Sequence, residues 1–261
     1  MTRPRLAAVD LDGTLLRSDH SISERTVRAV AEARAAGVEI VFVTTRHPAA
    51  VLDYAVQLDL VGEAVCCTGA AICALPGGEV TWSSPMDPTT TGQAAKLLRA
   101  AYPDVGLGWA LERGPLGYDA RYTAPALIGE GYRGEPDDVT EPVLTMWALS
   151  AGIDGSWPAG FAESAEGVVD VTHRGTGVLY VAAPGVTKVR TLRELCARRG
   201  ITAAEVVAFG DTHADLDMLR WAGHGVIMAN AVPELHAEAD EAAPGCDEDG
   251  VAVVLERLVR A

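Results

Sequence analysis

Leu6-Ala7-Ala8-Val9-Asp10-Leu11-Asp12-Gly13-Thr14-Leu15 is the stretch on which the fold turns. A short, uncharged apolar run ends on a carboxylate. A second carboxylate follows two residues on, then a glycine. The run is too short for a helix and predicts a buried strand of a parallel sheet. Ligands of open parallel sheets bind beyond the carboxyl ends of the strands, where Asp10 and Asp12 stand. Alternate residues of an extended segment face the same way, so both carboxylates can serve one site. Two such charges brought close repel unless a cation or a shared proton relieves them. Magnesium fits that need, because it takes oxygen ligands and accompanies phosphate. Taken alone, D-x-D-G also reads as a surface turn, since Asp and Gly are common turn residues.

Outward from this strand the pattern is strand–helix–strand. Ser21 to Glu24 fits a capping box, with Ser23 as a competing cap, and Val27, Val30 and Ala31 then recur on one helical face up to Gly37. Val38 to Thr45 predicts a second buried strand, ending in hydroxyls and then Arg46. Pro48 suits the first turn of a helix running to about Leu58, and Ala64 to Cys67 predicts a third strand before a Thr68-Gly69-Ala70 turn. The alternation implies a doubly wound α/β sheet.

Near Ser83 the pattern changes. A helix is expected over Asp87 to Tyr102. Strand-like pieces follow at Gly106 to Leu111, Tyr118 to Thr123, Val143 to Leu149, Gly167 to Thr172 and Val178 to Ala182. This reads as an inserted α+β unit with an antiparallel sheet. Ala124 to Glu141 and Ala151 to Ala162, rich in Gly, Pro and acid, carry no clear assignment. From Pro184 the first pattern returns: a helix capped by Thr187, a strand Val206 to Gly210 ending at Asp211, a helix Leu216 to Ala222, a strand Gly225 to Met228, a helix opened by Pro233, and a last one over Gly250 to Arg260. The expected division is therefore 1–83 with 184–261 as an α/β core, and 84–183 as the insert.

Composition limits the function. The chain of 261 residues is 49% hydrophobic and 22% charged, as in ordinary globular proteins. Its net charge of −15 argues against nucleic acid or an anionic membrane as partner. A phosphate site must then be built locally, from a metal and a few cations. No apolar run is long enough to span a bilayer, and the first residues lack the apolar segment of a signal peptide. The five cysteines show no C-x-x-C spacing, which predicts buried free thiols, no structural zinc and a cytoplasmic setting.

The ends of strands and helices in the α/β part carry complementary polar groups. Asp10 and Asp12 offer a nucleophile and an acid/base, Thr44 a hydroxyl, Lys188 a cation, and Asp211 and Asp215 further carboxylates. If they converge, they form a magnesium-dependent phosphoryl-transfer site. A carboxylate can attack phosphorus, and the transition state spreads negative charge over oxygens that cations and donors must surround. Arg46 reads either as a contact to phosphate or as a surface cation. His47 and His213 read as satisfied or exposed side chains, and the acid-rich stretch Glu234 to Glu241 as one exposed helix face. In the insert, Trp109 and Trp147 read as core. Arg121, His173 and Arg174 stand as residues able to meet a leaving group, the two arginines reading first as solvated.

Asp10-Leu11-Asp12-Gly13-Thr14 resembles the first motif of haloacid dehalogenase-like (HAD) phosphatases. Thr44 is similar to the second motif, Lys188 to the third and Gly210-Asp211-Thr212-His213-Ala214-Asp215 to the fourth. Gly225-Val226-Ile227-Met228-Ala229-Asn230-Ala231 and Asp249-Gly250-Val251-Ala252 resemble the Cof-type branch, which inserts an α+β cap between the second and third motifs. The resemblance implies a HAD-like (Rossmannoid) core whose cap acts as a substrate-selecting lid. It implies Asp10 as nucleophile and metal ligand, and Asp12 as acid/base whose backbone carbonyl also meets the metal. It implies Asp211 as a metal carboxylate with Asp215 either ligating or standing behind it, Thr44 and Lys188 as phosphate binders, and Asn230 as a brace of its loop near the site. Thr45 and Arg46, next in the chain, are counted as candidate phosphate contacts, with Asp215 counted among the candidate metal residues. The chain departs from the branch at Thr45, Thr68, Val189 and Ala214, where glycine, asparagine, glycine and asparagine are usual.

The function so implied is Mg²⁺-dependent hydrolysis of a small phosphomonoester through an aspartyl-phosphate. Sugar phosphates come first as substrates, with phosphorylated cofactors such as pyridoxal phosphate or flavin mononucleotide behind them. The protein is expected as a monomer or weak homodimer. A hexose phosphomutase-like phosphotransferase uses the same motifs, and a non-catalytic phospholigand-binding protein is a third reading.

Overall fold

The computed structural model describes residues 4–124, 131–173 and 177–260. The chain divides into two compact units, Met1–Thr81 with Lys188–Ala261, and Trp82–Thr187.

In the first unit, β1 (Leu6–Val9) leads through α1 (Glu24–Ala35) to β2 (Glu39–Phe42). A 3-10 turn, Pro48–Val51, opens α2 (Leu52–Gln57), and β3 (Gly62–Cys66), β4 (Ala71–Leu75) and β5 (Val80–Ser83) form a three-stranded sheet. In the second unit, α3 (Pro88–Ala101) is followed by β6 (Gly106–Leu111), β7 (Leu116–Tyr118), β8 (Tyr132–Arg133), β9 (Val143–Leu149), α4 (Phe161–Ala165), β10 (Asp170–His173) and β11 (Val178–Ala182). The first unit resumes with α5 (Lys188–Arg198), β12 (Val206–Gly210), α6 (Leu216–Trp221), β13 (His224–Met228), β14 (Glu241–Ala243) and α7 (Gly250–Arg260). No helix among the described residues is long and apolar enough to cross a membrane.

The first unit is an α/β fold built on a five-stranded sheet, order β14-β13-β12-β1-β2, parallel throughout. All four β1 residues are fully buried, as the middle of a sheet covered on both faces requires. The chain leaves β1 toward β2 on one side and returns to it through β12 on the other. That change of direction makes the end of β1 the switch point where such sheets hold ligands. Val9 lies level with both Phe209 and Phe42, so Asp10, Asp211 and Thr44 leave the sheet close to one another. Helix α1 packs on α7, and α5 on α6.

The second unit carries a six-stranded sheet, order β10-β11-β9-β6-β7-β8, antiparallel except for β7 with β8. Trp109 is wholly buried and donates its indole N–H to the Tyr132 hydroxyl at 2.8 Å. Trp147 does the same to Tyr122 at 2.8 Å. These pairings satisfy the polar edge of each ring. Arg121 is exposed and donates to the Pro103 carbonyl, and Arg174 lies outside the described residues.

Several sequence expectations are corrected. Ser23, not Ser21, caps α1, accepting from Thr26 N at 3.0 Å. The segment from Pro233 is a 3-10 stretch, Pro233–Glu238, with Leu235 buried, so the acidic run is no single helix face. It ends in β14, an edge strand. β4 and β5 add a hairpin and a return strand after the third predicted strand. β7 lies earlier than the Tyr118 to Thr123 expectation, because the Asp119 carboxylate accepts from the backbone of Leu107 and Arg121 and turns the chain there. Of the unassigned stretches, the described residues hold only β8, a short 3-10 turn at Pro136–Asp138 and α4. All five cysteines are free and buried.

Candidate active site

The loop after β1 is tight. Thr14 N and Leu16 N both donate to Leu11 O, and Gly13 takes the left-handed φ of +79°. A side chain at Gly13 would also meet Asp211, whose Oδ2 lies 2.2 Å from the Cβ position. Glycine is therefore demanded twice, by backbone and by space. Thr14 donates its hydroxyl to Asp211 Oδ1 at 3.1 Å, tying the first loop to the end of β12.

Lys188, the first residue of α5, reaches in from its helix start and is almost wholly buried. Its Nζ lies 2.6 Å from Asp10 Oδ1 and 2.8 Å from Asp215 Oδ1. Asp215 is also buried. Its other oxygen accepts from Thr212 N at 3.1 Å, Thr212 Oγ1 at 3.0 Å and Asp211 N at 3.4 Å. A Cβ at Gly210 would lie 2.3 Å from the Asp215 Cβ, so the glycine ending β12 is what admits that side chain.

Asp10, Asp211 and Asp215 bring carboxylate oxygens within 4.8 Å of one another. Three carboxylates crowd together here, and two of them meet the Lys188 ammonium, so negative charge is concentrated. Asp10 registers that concentration. Burial, with Asp215 and Asp211 adding like charge, pushes its carboxyl up to about 8 against the pull of Lys188. Lys188 is held above the ordinary lysine range, because its two carboxylates outweigh its burial. An all-oxygen, acidic donor set fits magnesium.

Asp12 stands apart from that trio. Its carboxylate is paired side-on with Arg46, Nε to Oδ2 at 2.8 Å and Nη2 to Oδ1 at 2.6 Å. Thr44 is fully buried, and its Oγ1 accepts from Arg46 N at 3.2 Å. Thr45 is half-buried between them. Asn230 has both ends of its amide engaged with backbone, donating to Gly13 O and accepting from Cys246 N, each at 2.8 Å. It therefore joins the first loop to the turn before α7.

The structure thus gathers Asp10, Lys188, Asp211 and Asp215 directly. Thr44, Arg46 and Asp12 form a second linked group, Thr45 is only their neighbour in the chain, and Asn230 is bonded to the Gly13 loop. The sequence reading did not single out Tyr54, which accepts from Arg46 at 3.4 Å, or Arg17, which is paired with Asp249 at 2.8 Å. Neither lies at a periodic spacing from its partner, so no sequence pattern marks them. His47 caps the Pro48–Val51 turn through Nδ1, and burial holds its ring below the usual range, in keeping with an accepting nitrogen. Thr68, at the position where asparagine is usual, has a left-handed φ of 60° and a buried hydroxyl with no hydrogen-bond partner among the described residues.

The sequence pattern of the haloacid dehalogenase-like hydrolases matches residues 7–117 and 159–255. HMP-PP phosphatase of Cronobacter sakazakii is 30% identical over 247 residues, spanning 90% of this chain and 87% of its own. Pyridoxal phosphate phosphatase YbhA of Escherichia coli is 26% identical over 257 residues, spanning 90% and 92%. The crystal structure of a haloacid dehalogenase-like hydrolase from Bacteroides thetaiotaomicron shares the fold, with a TM-score of 0.79 at 24% identity over 98% of this chain and 99% of that one.

Proposed function

The chain belongs to the haloacid dehalogenase-like hydrolase family, and from that premise we propose that it hydrolyses a small phosphomonoester with magnesium, through a phosphorylated Asp10. It is a phosphoric monoester hydrolase. The observation that carries the finer reading is the buried Lys188 bridging Asp10 and Asp215.

Asp10 is the nucleophile. A carboxylate oxygen forms a bond to phosphorus as the bond to the leaving oxygen breaks, and Asp12 delivers a proton to that oxygen. In the return step water attacks phosphorus, the bond to Asp10 breaks, and Asp12 takes the proton from water. Lys188 holds one Asp10 oxygen, orienting the other for attack, and places positive charge beside the transferred group. The Thr44 hydroxyl is a donor for a phosphoryl oxygen. Asp10, Asp211 and Asp215 would hold magnesium, which supplies charge against the phosphoryl oxygens. Asp215 itself is kept rigid by Thr212 and Lys188, so the carboxylates are preorganised.

The inserted unit is assigned the choice of leaving group, and the enzyme a cytoplasmic setting as a monomer or weak homodimer. Sugar phosphates are the first substrate class. Pyridoxal phosphate stands beside them because a relative is named for it. The test is phosphate release from a panel of hexose phosphates, pyridoxal phosphate and flavin mononucleotide, ranked by kcat/KM in magnesium. Chelation should abolish release, and Asp10→Asn should lower it by about 10³-fold or more. Full activity in Asp10→Asn refutes the nucleophile.

A further inference from the structure

The guanidinium of Arg46 does not lie loose at the mouth of the site. Its Nε and Nη2 meet the two Asp12 oxygens in parallel, at 2.8 and 2.6 Å, the fork geometry that arginine makes with carboxylates. Its remaining edge is anchored as well. Nη1 lies 3.4 Å from the Tyr54 hydroxyl, and the Cζ carbon lies 5.2 Å from the centre of the Tyr54 ring. The His20 Nδ1 lies 3.3 Å from Nη2 and 3.5 Å from Asp12 Oδ1. The backbone of Arg46 is fixed in turn. Its N–H donates to Thr44 Oγ1, and its carbonyl accepts from Cys67 N at 2.9 Å.

We propose that Arg46, clamped by Tyr54, is a positioning residue that holds the Asp12 carboxylate in the orientation needed to pass a proton. This deepens the phosphatase reading and rests on Asp12 being its acid/base. A carboxylate has about four lone-pair sites, and the fork occupies one on each oxygen. The fork sets the plane of the carboxylate, so Asp12 can meet the leaving oxygen and then water without turning. Loss of the fork removes the two short bonds that set this plane, and a misplacement of about 1 Å costs on the order of 10²-fold in rate. Tyr54 matters because it fixes the plane of the guanidinium, and a lysine's point charge supplies no such plane.

This reading differs in a measurable way from Arg46 as a direct phosphate ligand. A phosphate ligand helps every phosphomonoester alike. A residue that acts through Asp12 matters most where the leaving oxygen needs a proton. The experiment compares kcat/KM, which reports only steps up to transfer onto Asp10, for p-nitrophenyl phosphate and for an alkyl phosphate such as a hexose 6-phosphate. Arg46→Ala should lower the alkyl value by roughly 10²-fold and the nitrophenyl value by less than about threefold. The nitrophenyl kcat should still fall, since the return step needs Asp12 as base. Arg46→Lys should not restore the alkyl value, and Tyr54→Phe should show the same selectivity at a loss of about threefold to tenfold.

Equal losses on both substrates, an unchanged or raised alkyl value, or full rescue by lysine would overturn the proposal. If Arg46→Ala does not fold, Tyr54→Phe decides the matter by the same ratio. A wild-type enzyme that releases phosphate from neither substrate, nor from any other of the panel, would instead defeat the hydrolase reading itself.

Discussion

The two units solve opposite problems. At the end of β1 the chain packs Asp10, Lys188 and Asp215 together where water hardly reaches, none more than 5% exposed. Removing such charges from water is expensive, and their mutual attraction recovers the cost only with well-placed partners. In the inserted unit the buried polar side chains among the described residues are neutral apart from Asp119, which is paired with Arg99 at 3.1 Å. Trp109 with Tyr132 and Trp147 with Tyr122 fill volume and satisfy one donor each. The first arrangement concentrates charge at some expense in stability. The second is built to hold a sheet together. Stability and activity should therefore separate along the boundary between the units.

Lys188→Met should give the largest effect, since it leaves two buried carboxylates without their cation. Loss of about 3–5 kcal/mol in unfolding free energy is expected, with phosphate release down by about 10³-fold or more. Adding Asp10→Asn should recover part of the stability, because one stranded charge is neutralised, and none of the activity. Chemical denaturation and phosphate release, read on the same preparations, check both. A Lys188→Met protein as stable as wild type would erase the contrast between the units.

Trp109→Phe tests the other side. The indole is wholly buried and its N–H partner, Tyr132, is exposed enough to turn to water. The cost is then mainly lost volume, about 1–3 kcal/mol. kcat/KM should stay within about twofold of wild type, as measured on a substrate the panel identifies. A stability loss with unchanged turnover sharpens the separation, and a large kinetic effect blurs it.

Much of this division is legible in the sequence, for a physical reason. Leu6–Val9 and Val206–Gly210 are continuous apolar runs that can only be buried, and each stops at a carboxylate. Val143–Leu149 and Val178–Ala182 are bounded by turns and polar residues, and their limits agree with expectation. β4 was missed because Ala71–Leu75 is as apolar as a buried helix and carries no alternation. Asp10, Lys188, Asp211 and Asp215 stand out as candidates because each lies where an element closes or opens. The Arg46 fork does not. It joins two loops 34 residues apart, and Arg46 was read only as a phosphate contact or a surface cation. In the sequence Gly210 reads only as a strand end and part of a motif. Its role depends on the Asp215 Cβ standing where its own would be, a close approach that no local pattern encodes.

The smallest effect belongs to charge at the edge of the parallel sheet, where the same unit carries ions cheaply. Glu241 on β14 lies 2.8 Å from His224 Nε2 and is also paired with Arg257. Burial raises its carboxyl, but the Arg257 and His224 bonds outweigh that and hold it below the ordinary glutamate range. A carboxylate whose folded value is depressed adds stability above the unfolded value of about 4.3, and loses it as pH falls through the folded value. Because water still reaches these side chains and screens them, the contribution is at most about 1 kcal/mol. Glu241→Gln should thus lower stability slightly at pH 7, by less than a third of the Lys188→Met loss. The gap between variant and wild type should close as pH drops below about 4 and narrow in high salt. A gap that persists at pH 3, or one as large as that of Lys188→Met, would mean that rim and floor charges are not different in kind, and the contrast between exposed and buried ions within this unit would have to be withdrawn.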